Sequence, residues 1–507
     1  MSYTHGVYIN ENSTAVIAPI ISDSGVQFVV GTAPINMLAD PSGAVNKPIL
    51  VNSLSEAVTN FGYCKNFEKF TICQSVNASF NVYNVAPLVI VNVLDPEKHT
   101  VAISPDDQQY SIDKKTEKIT IAKEGIFLNS FVVKGQDGAI TYKEGNDYTL
   151  TFDEYGYVVL TPVLAKDNGA IFKQLEKQEQ EGQEEPKVQL AISYNRLDPS
   201  SVTYEDIIGG YDSVNGKYTG LQNIEQVYPK LGVVPGLIVI PGWSHIPEVG
   251  IAMMAKTEDI NGCFKCMAVL DVDTDSITGA YSYQAVMDWK NKNSYTSENS
   301  IVCWPKVKIG DAQYWFSAVA APLIAYTDAN NDNIPYVSPS NKSFRITSTV
   351  LSDGSEVYLD QSQGNHLNGN GIVTAINLNG WRLWGNNTGI YPSSTDVKDR
   401  FIPVRRMFSW WGNSFILTYF QKVDDPMNTR LIESIVDTEN IRANGYKARY
   451  QIADARIEFL ADENPTTDLL NGKIRFHQYL TPFPPAETII DTLEFDANAL
   501  TTALGGK

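Results

Sequence analysis

Long apolar runs are missing from this 507-residue chain. None approaches the roughly 18 residues needed to cross a bilayer as a helix. The N-terminus, Met1-Ser2-Tyr3-Thr4-His5-Gly6, has no basic stretch leading into an apolar core, so the sequence predicts no secretory signal. Cysteine is scarce and odd in number: Cys64, Cys73, Cys263, Cys266 and Cys303 predict reduced thiols made in a cytoplasm. Basic residues are in deficit, 39 Lys and Arg against 58 Asp and Glu, for a formal net charge of −19. A surface of that sign opposes binding along phosphate backbones, so nucleic acid is excluded as a partner.

Active-site patterns are equally thin. Gly242-Trp243-Ser244-His245 follows an apolar run but lacks the second glycine of a nucleophile elbow. Gly210–Tyr218 is one residue too long for a phosphate loop and ends in Tyr, so it reads as a hairpin. Asp328-Ala329-Asn330 opens like a calcium loop, yet Asn333 stands at the glycine position and Pro339 at that of the bidentate Glu. Asp271, Asp273 and Asp275 end a strand, where they could line a site, and read first as a solvated turn. Cys263 and Cys266 lack a second ligand pair. The sequence therefore predicts no catalytic residue, no metal site and no cofactor.

What is present is a globular composition, 43% hydrophobic and 19% charged, in a chain long enough for several domains. Residues 1–20 read as an arm, with Val7, Tyr8 and Ile9 in a short strand too small to stand alone. Residues 21–97 begin an α/β body: a strand through Val30, a helix started by Ser55 and stopped at Gly62, and strand Leu88–Leu94. Residues 98–197 contain no Cys, Trp or Met, whereas all eight Trp fall between Trp243 and Trp411. Their short alternating strands predict an inserted β-sandwich, with the acidic run 174–185 as a solvated loop.

Strands and helices alternate again across 198–370, which predicts a largely parallel sheet with helices on both faces. Residues 371–487 follow as an α+β part of the body. There Gly371–Ile376 and Trp381-Arg382-Leu383-Trp384 make a hairpin, and an apolar stripe through Met407, Trp411 and Phe415 makes a long helix. Asp425 before Pro426 predicts the start of a second helix, closed by Gly445. Pro482–Pro485 is a stiff spacer, and 488–507 is a C-terminal arm with Ile489, Leu493 and Phe495 on one face of a last strand.

Several of these segments carry a resemblance. Trp381–Thr388 is similar to the W-R-x-W-G-x-x-T stretch of contractile tail sheath proteins of myophages, R-type bacteriocins and contractile injection systems. The same family opens with G-V-Y-x-x-E, then V-G-T-A, then P-x-x-V-x-S-x-x-E-A-x-x-x-F-G, found here at Gly6, Val30 and Pro48. Its closing P-x-x-P-A-E-x-I matches Pro482 to Ile489, including Glu487. The resemblance spans about four-fifths of the chain and omits the insert.

It implies a mixed α/β fold: a doubly wound core of subtilisin-like layout, an inserted all-β domain on the outer face and extended terminal arms. It also implies a structural subunit that polymerises as stacked hexameric rings around a tail tube. The partners implied are further copies of itself, the tube protein, and baseplate and tail terminator proteins, with no insertion into membrane. Assembly would take place in the bacterial cytoplasm, and the product would be a virion tail or tail-like particle. Val7, Tyr8, Ile9, Ile489, Leu493 and Phe495 would hold strand contacts between subunits. Two other classes fit parts of the sequence: an α/β hydrolase using Ser244 and His245, and a surface protein binding glycans through 98–197.

Overall fold

The computed structural model describes residues 20–21, 23–106, 108–163 and 169–505. Its centre is an eight-stranded sheet built from β1 (Gln27–Gly31), β2 (Ile49–Val51), β3 (Leu88–Asn92), β4 (Leu237–Val239), β5 (Met267–Asp271), β6 (Ser300–Cys303), β7 (Ile372–Asn377) and β8 (Trp381–Trp384). Their order across the sheet is β8-β7-β6-β5-β4-β1-β3-β2. The pairs from β7 through to β3 run parallel; β8 and β2 close the two ends antiparallel. Strands β1, β3, β4, β5 and β6 are buried at every position, which explains why they read as continuous apolar runs and not as alternation.

Helices α1 (Leu54–Phe61), α2 (Pro247–Ala255) and α3 (Phe316–Ala329) lie among the crossovers that parallel strands require. α1 is capped by Ser53, whose side chain accepts from the Glu56 amide at 3.2 Å, two residues before the predicted Ser55. Glu56 answers by accepting from the Asn52 amide, so the start is fixed by local side-chain bonds. Gly62, at φ 72°, stops it as predicted. α3 is buried on nearly all sides, consistent with its Ala-rich sequence.

Residues 100–197 form a second core around Ile121, Val133, Leu160 and Ile192. The ten-residue strand Val188–Leu197 pairs with Thr100–Ile103, Tyr110–Ile112 and Val132–Gly135; a separate three-stranded sheet holds Ile119–Ile121, Tyr148–Phe152 and Val158–Pro162. The predicted loop over 174–185 is corrected: Ala170–Gln180 is a helix. Ile171 and Leu175 are buried four residues apart and seat it on the core, which outweighs the charge of its outer face. Entry and exit of this unit meet at the Asp198 amide, which donates to the His99 carbonyl at 2.8 Å.

The last part contains α4 (Ile402–Tyr419) and α5 (Thr429–Ala448), packed with the antiparallel pair Asp454–Glu458/His477–Thr481 on a small core of Met407, Trp411, Ala443 and Ile452. α5 starts at Asn428, which accepts from the Leu431 amide at 3.0 Å, and not at Asp425. Gly445 lies inside α5 and does not close it.

Candidate functional site: a sealed strand-end cluster and the C-terminal extension

Strand β4 runs through Pro241-Gly242 into Ser244 and His245, then α2, at the carboxyl end of the sheet where α/β folds place ligands. Here that end is filled. Gly242 sits at φ 82°, and a Cβ there would come within 2.7 Å of the Thr71 side chain. The Ser244 hydroxyl donates to Asp271 Oδ2 at 2.7 Å and accepts from the Asp271 amide at 3.1 Å. Ser317 closes the other side, its hydroxyl on Oδ2 at 2.6 Å and its amide on Oδ1 at 2.8 Å.

Ser244 is completely buried and Asp271 nearly so. Burial pushes the Asp271 carboxyl above the ordinary carboxylate range, against the opposing pull of its bonds from Ser317 and Ser244. His245 stacks on Trp315 with ring centroids 4.3 Å apart, and burial holds its imidazole down to about 4. Among the described residues no hydrogen bond joins His245 to Ser244. The nucleophile is thus bonded to a carboxylate and the imidazole is turned onto an indole, so the sequence pair never becomes a nucleophile–base pair.

The other sequence candidates are structural too. Asp273 and Asp275 tie a turn through the Asp275 amide and Thr278. Asp328 forms a buried ion pair with Arg406. Gly210–Tyr218 contains the hairpin Tyr211–Asp212/Lys217–Tyr218.

The hairpin β7–β8 pairs Asn377 with Trp381 and Thr374 with Trp384, turning through Asn379 and Gly380 at positive φ. Trp381 Nε1 donates to the Thr347 carbonyl at 2.9 Å and Trp384 Nε1 to Asn365 Oδ1 at 3.1 Å, so both indoles are anchored at their polar edges. The segment after them fixes the lead into α4. Asn387 Nδ2 donates to the Asn368 carbonyl at 2.9 Å, while its Oδ1 accepts from Arg400 Nε at 2.8 Å. The Thr388 hydroxyl donates to the Asp399 carbonyl at 2.6 Å, and its amide to the Arg400 carbonyl at 2.8 Å.

The Arg400 guanidinium lies 4.5 Å from the ring centroids of both Tyr391 and Phe401, and it pairs with Glu487. Nearby, Lys290 is buried and donates to the carbonyls of Asn370 and Tyr391 at 2.7 and 2.9 Å. Arg400 and Lys290 were not singled out by sequence reasoning. An arginine in a charged cluster (Lys398-Asp399-Arg400) carries no local sign of what it meets.

Beyond Glu487 the chain leaves the body. The predicted strand over 488–495 does not form within one subunit: that stretch has no strand partner among the described residues. Ile489, Leu493 and Phe495 are 89%, 90% and 78% exposed. A short helix, Ala497–Ala503, follows. Val7, Tyr8 and Ile9 lie outside the described residues.

No family model matches the chain. It is 28% identical to the tail sheath protein of Burkholderia phage BcepMu over 522 aligned positions, covering 100% of this chain and 99% of the relative. The tail sheath protein of Escherichia phage P2 is 26% identical over 57% of this chain and 69% of its own length. Among solved structures, the anti-feeding prophage baseplate contains a chain that superposes with a TM-score of 0.56 at 14% identity, over 98% of this chain and all of that one. The contracted sheath complex of the PVC extracellular contractile injection system gives a TM-score of 0.55 at 14% identity, over 98% and 99%. Along its full length in sequence, and in fold, the chain is similar to the sheath subunits of contractile phage tails and injection systems.

Proposed function

We propose that the chain is a contractile tail sheath protein, a structural subunit and not an enzyme. It polymerises around a tail tube and contracts to drive that tube through a target envelope. The observation that carries this is the end-to-end alignment with a phage tail sheath protein, which covers 100% of this chain and 99% of the relative. The sealed Ser244–Asp271–Ser317 cluster supports the non-catalytic side of the reading.

The finer picture has stacked hexameric rings, a core of subtilisin-like layout, and baseplate and tail terminator proteins at the two ends. Assembly takes place in the bacterial cytoplasm. Residues 98–197 form an inserted outer domain. Val7–Ile9 and Ile489–Phe495 add strands to neighbouring subunits, where main-chain hydrogen bonds give a directional link. Four apolar side chains between 489 and 495 that face solvent in one subunit support that assignment for the C-terminal arm.

Electron microscopy of the purified chain, alone and co-expressed with its tube protein, tests the proposal. Long hollow helical polymers are the expected result; discrete small closed oligomers under all conditions would overturn it. Exchange of 98–197 for a short Gly/Ser linker should leave polymers of smaller outer diameter. Insoluble or strictly monomeric protein would put the insert in the lattice.

A further inference from the structure

Residues 482–495 have one polar tie to the rest of the described chain, the pair between Arg400 and Glu487. Phe483–Ile489 stand across a groove of about 940 Å³ whose opposite wall includes Asn365, Trp384, Tyr391 and Tyr450. The other contacts of the segment are apolar and lie in its proline run, where Pro482 is buried, Pro485 half-buried and Phe483 45% exposed.

An ion pair between two free, exposed side chains is weak, because both must be ordered to form it. Arg400 differs. Its guanidinium is already held by Tyr391, Phe401 and Asn387, and it is three-quarters buried. The entropy of ordering it is therefore spent within the body before Glu487 arrives. The Glu487 side chain is itself about seven-tenths buried. Three prolines, Pro482, Pro484 and Pro485, restrict the chain leading to it, so the segment approaches Arg400 with few alternative paths.

We infer that Arg400 and Glu487 form a latch that seats the root of the C-terminal extension on its own subunit, so that the extension pivots beyond Glu487 and not along the proline run. The polar half of the Trp381–Thr388 segment then has a definite task. Asn387 aims the guanidinium, and Thr388 fixes the backbone that carries it. The latch is a property of the single subunit. Its consequence for a lattice, a fixed launching point for each arm, rests on the sheath reading.

The two are separable by experiment. Cys263 is the one exposed thiol among the five cysteines, so a Cys263→Ser background accepts single nitroxide labels at Ala486→Cys or Leu493→Cys. In the soluble chain, the label at 486 should move at least several-fold more slowly than that at 493. Glu487→Gln, which keeps size and removes charge, should bring 486 close to the rate of 493, with circular dichroism unchanged. Arg400→Lys should fall between, since lysine keeps charge but loses the planar stack.

Equal mobility at 486 and 493 in the parent, or no response to Glu487→Gln, would overturn the latch whether or not the parent polymerises. Failure of the parent to polymerise would count against the sheath reading alone. Where polymers form, Glu487→Gln polymers should show a broadened spread of subunit spacing in micrographs. An unchanged spread would overturn the lattice consequence.

Discussion

Asp328 and Arg406 face each other with almost no exposure, and between them they join three distant segments. Arg406 Nη1 donates to Asp328 Oδ1 at 2.8 Å and Nη2 to the Ser24 carbonyl at 3.3 Å; the Ser24 hydroxyl donates to Asp328 Oδ2 at 2.8 Å. A buried pair of this kind adds little net stability over an apolar pair, but breaking it strands a charge. Arg406→Leu should therefore cost about 3–5 kcal/mol in urea unfolding. Arg406→Leu with Asp328→Leu should cost clearly less than the sum of the two singles, and strict additivity would show that the contact is not as drawn.

Lys290 offers a pH test at the same scale. Burial holds its ammonium down to about 8 from an ordinary 10.5. Between those values the unfolded chain binds more protons than the folded one, so stability rises with pH. Relative to Lys290→Met, the parent should gain on the order of 3 kcal/mol across that window. Parallel curves for the two proteins would refute it.

The sheet was legible because its signal is redundant. β1, β3, β4 and β5 are short apolar runs separated by helices, and each level of the pattern points to the same parallel core. Hairpin β7–β8 was legible for a different reason, the Asn379-Gly380 turn between two strand-like runs. Helix ends were less so. Asp425-Pro426 is a good cap and first residue on paper, yet Asn428 takes the role three residues later, where its side chain reaches the Leu431 amide. Asn428→Ala should then cost about 1 kcal/mol, and Asp425→Ala only a few tenths, in thermal unfolding. A larger loss at Asp425 would reverse the assignment. The helix Ala170–Gln180 was missed because two buried apolar residues in a charged run are a weak signal until their partners in the second core are known.

For the whole molecule, the question is how subunits shift past each other and stay joined. Strand pairing is bound to register and breaks before it stretches. Movement must then fall in the connections between arms and body, and the latch at Glu487 leaves Thr488 and its neighbours as the pivot on the C-terminal side. The proline spacer before the arm was legible from the sequence; the latch was not, because Arg400 and Glu487 are 87 positions apart.

Removal of 488–507 should abolish polymerisation yet leave a folded subunit, since the described residues among them, 488–505, contribute no buried side chain to the cores described above. Light scattering reads the first and circular dichroism the second. Inserting four Gly/Ser residues after Glu487 should act differently if the arm adds a strand to a neighbour as proposed: polymers should form, because the longer arm still reaches, but contraction should be impaired, because a slack connection transmits less displacement between subunits. Full-length sheaths assembled from the truncated chain would remove the arm from the lattice and, with it, the argument for where the motion lies.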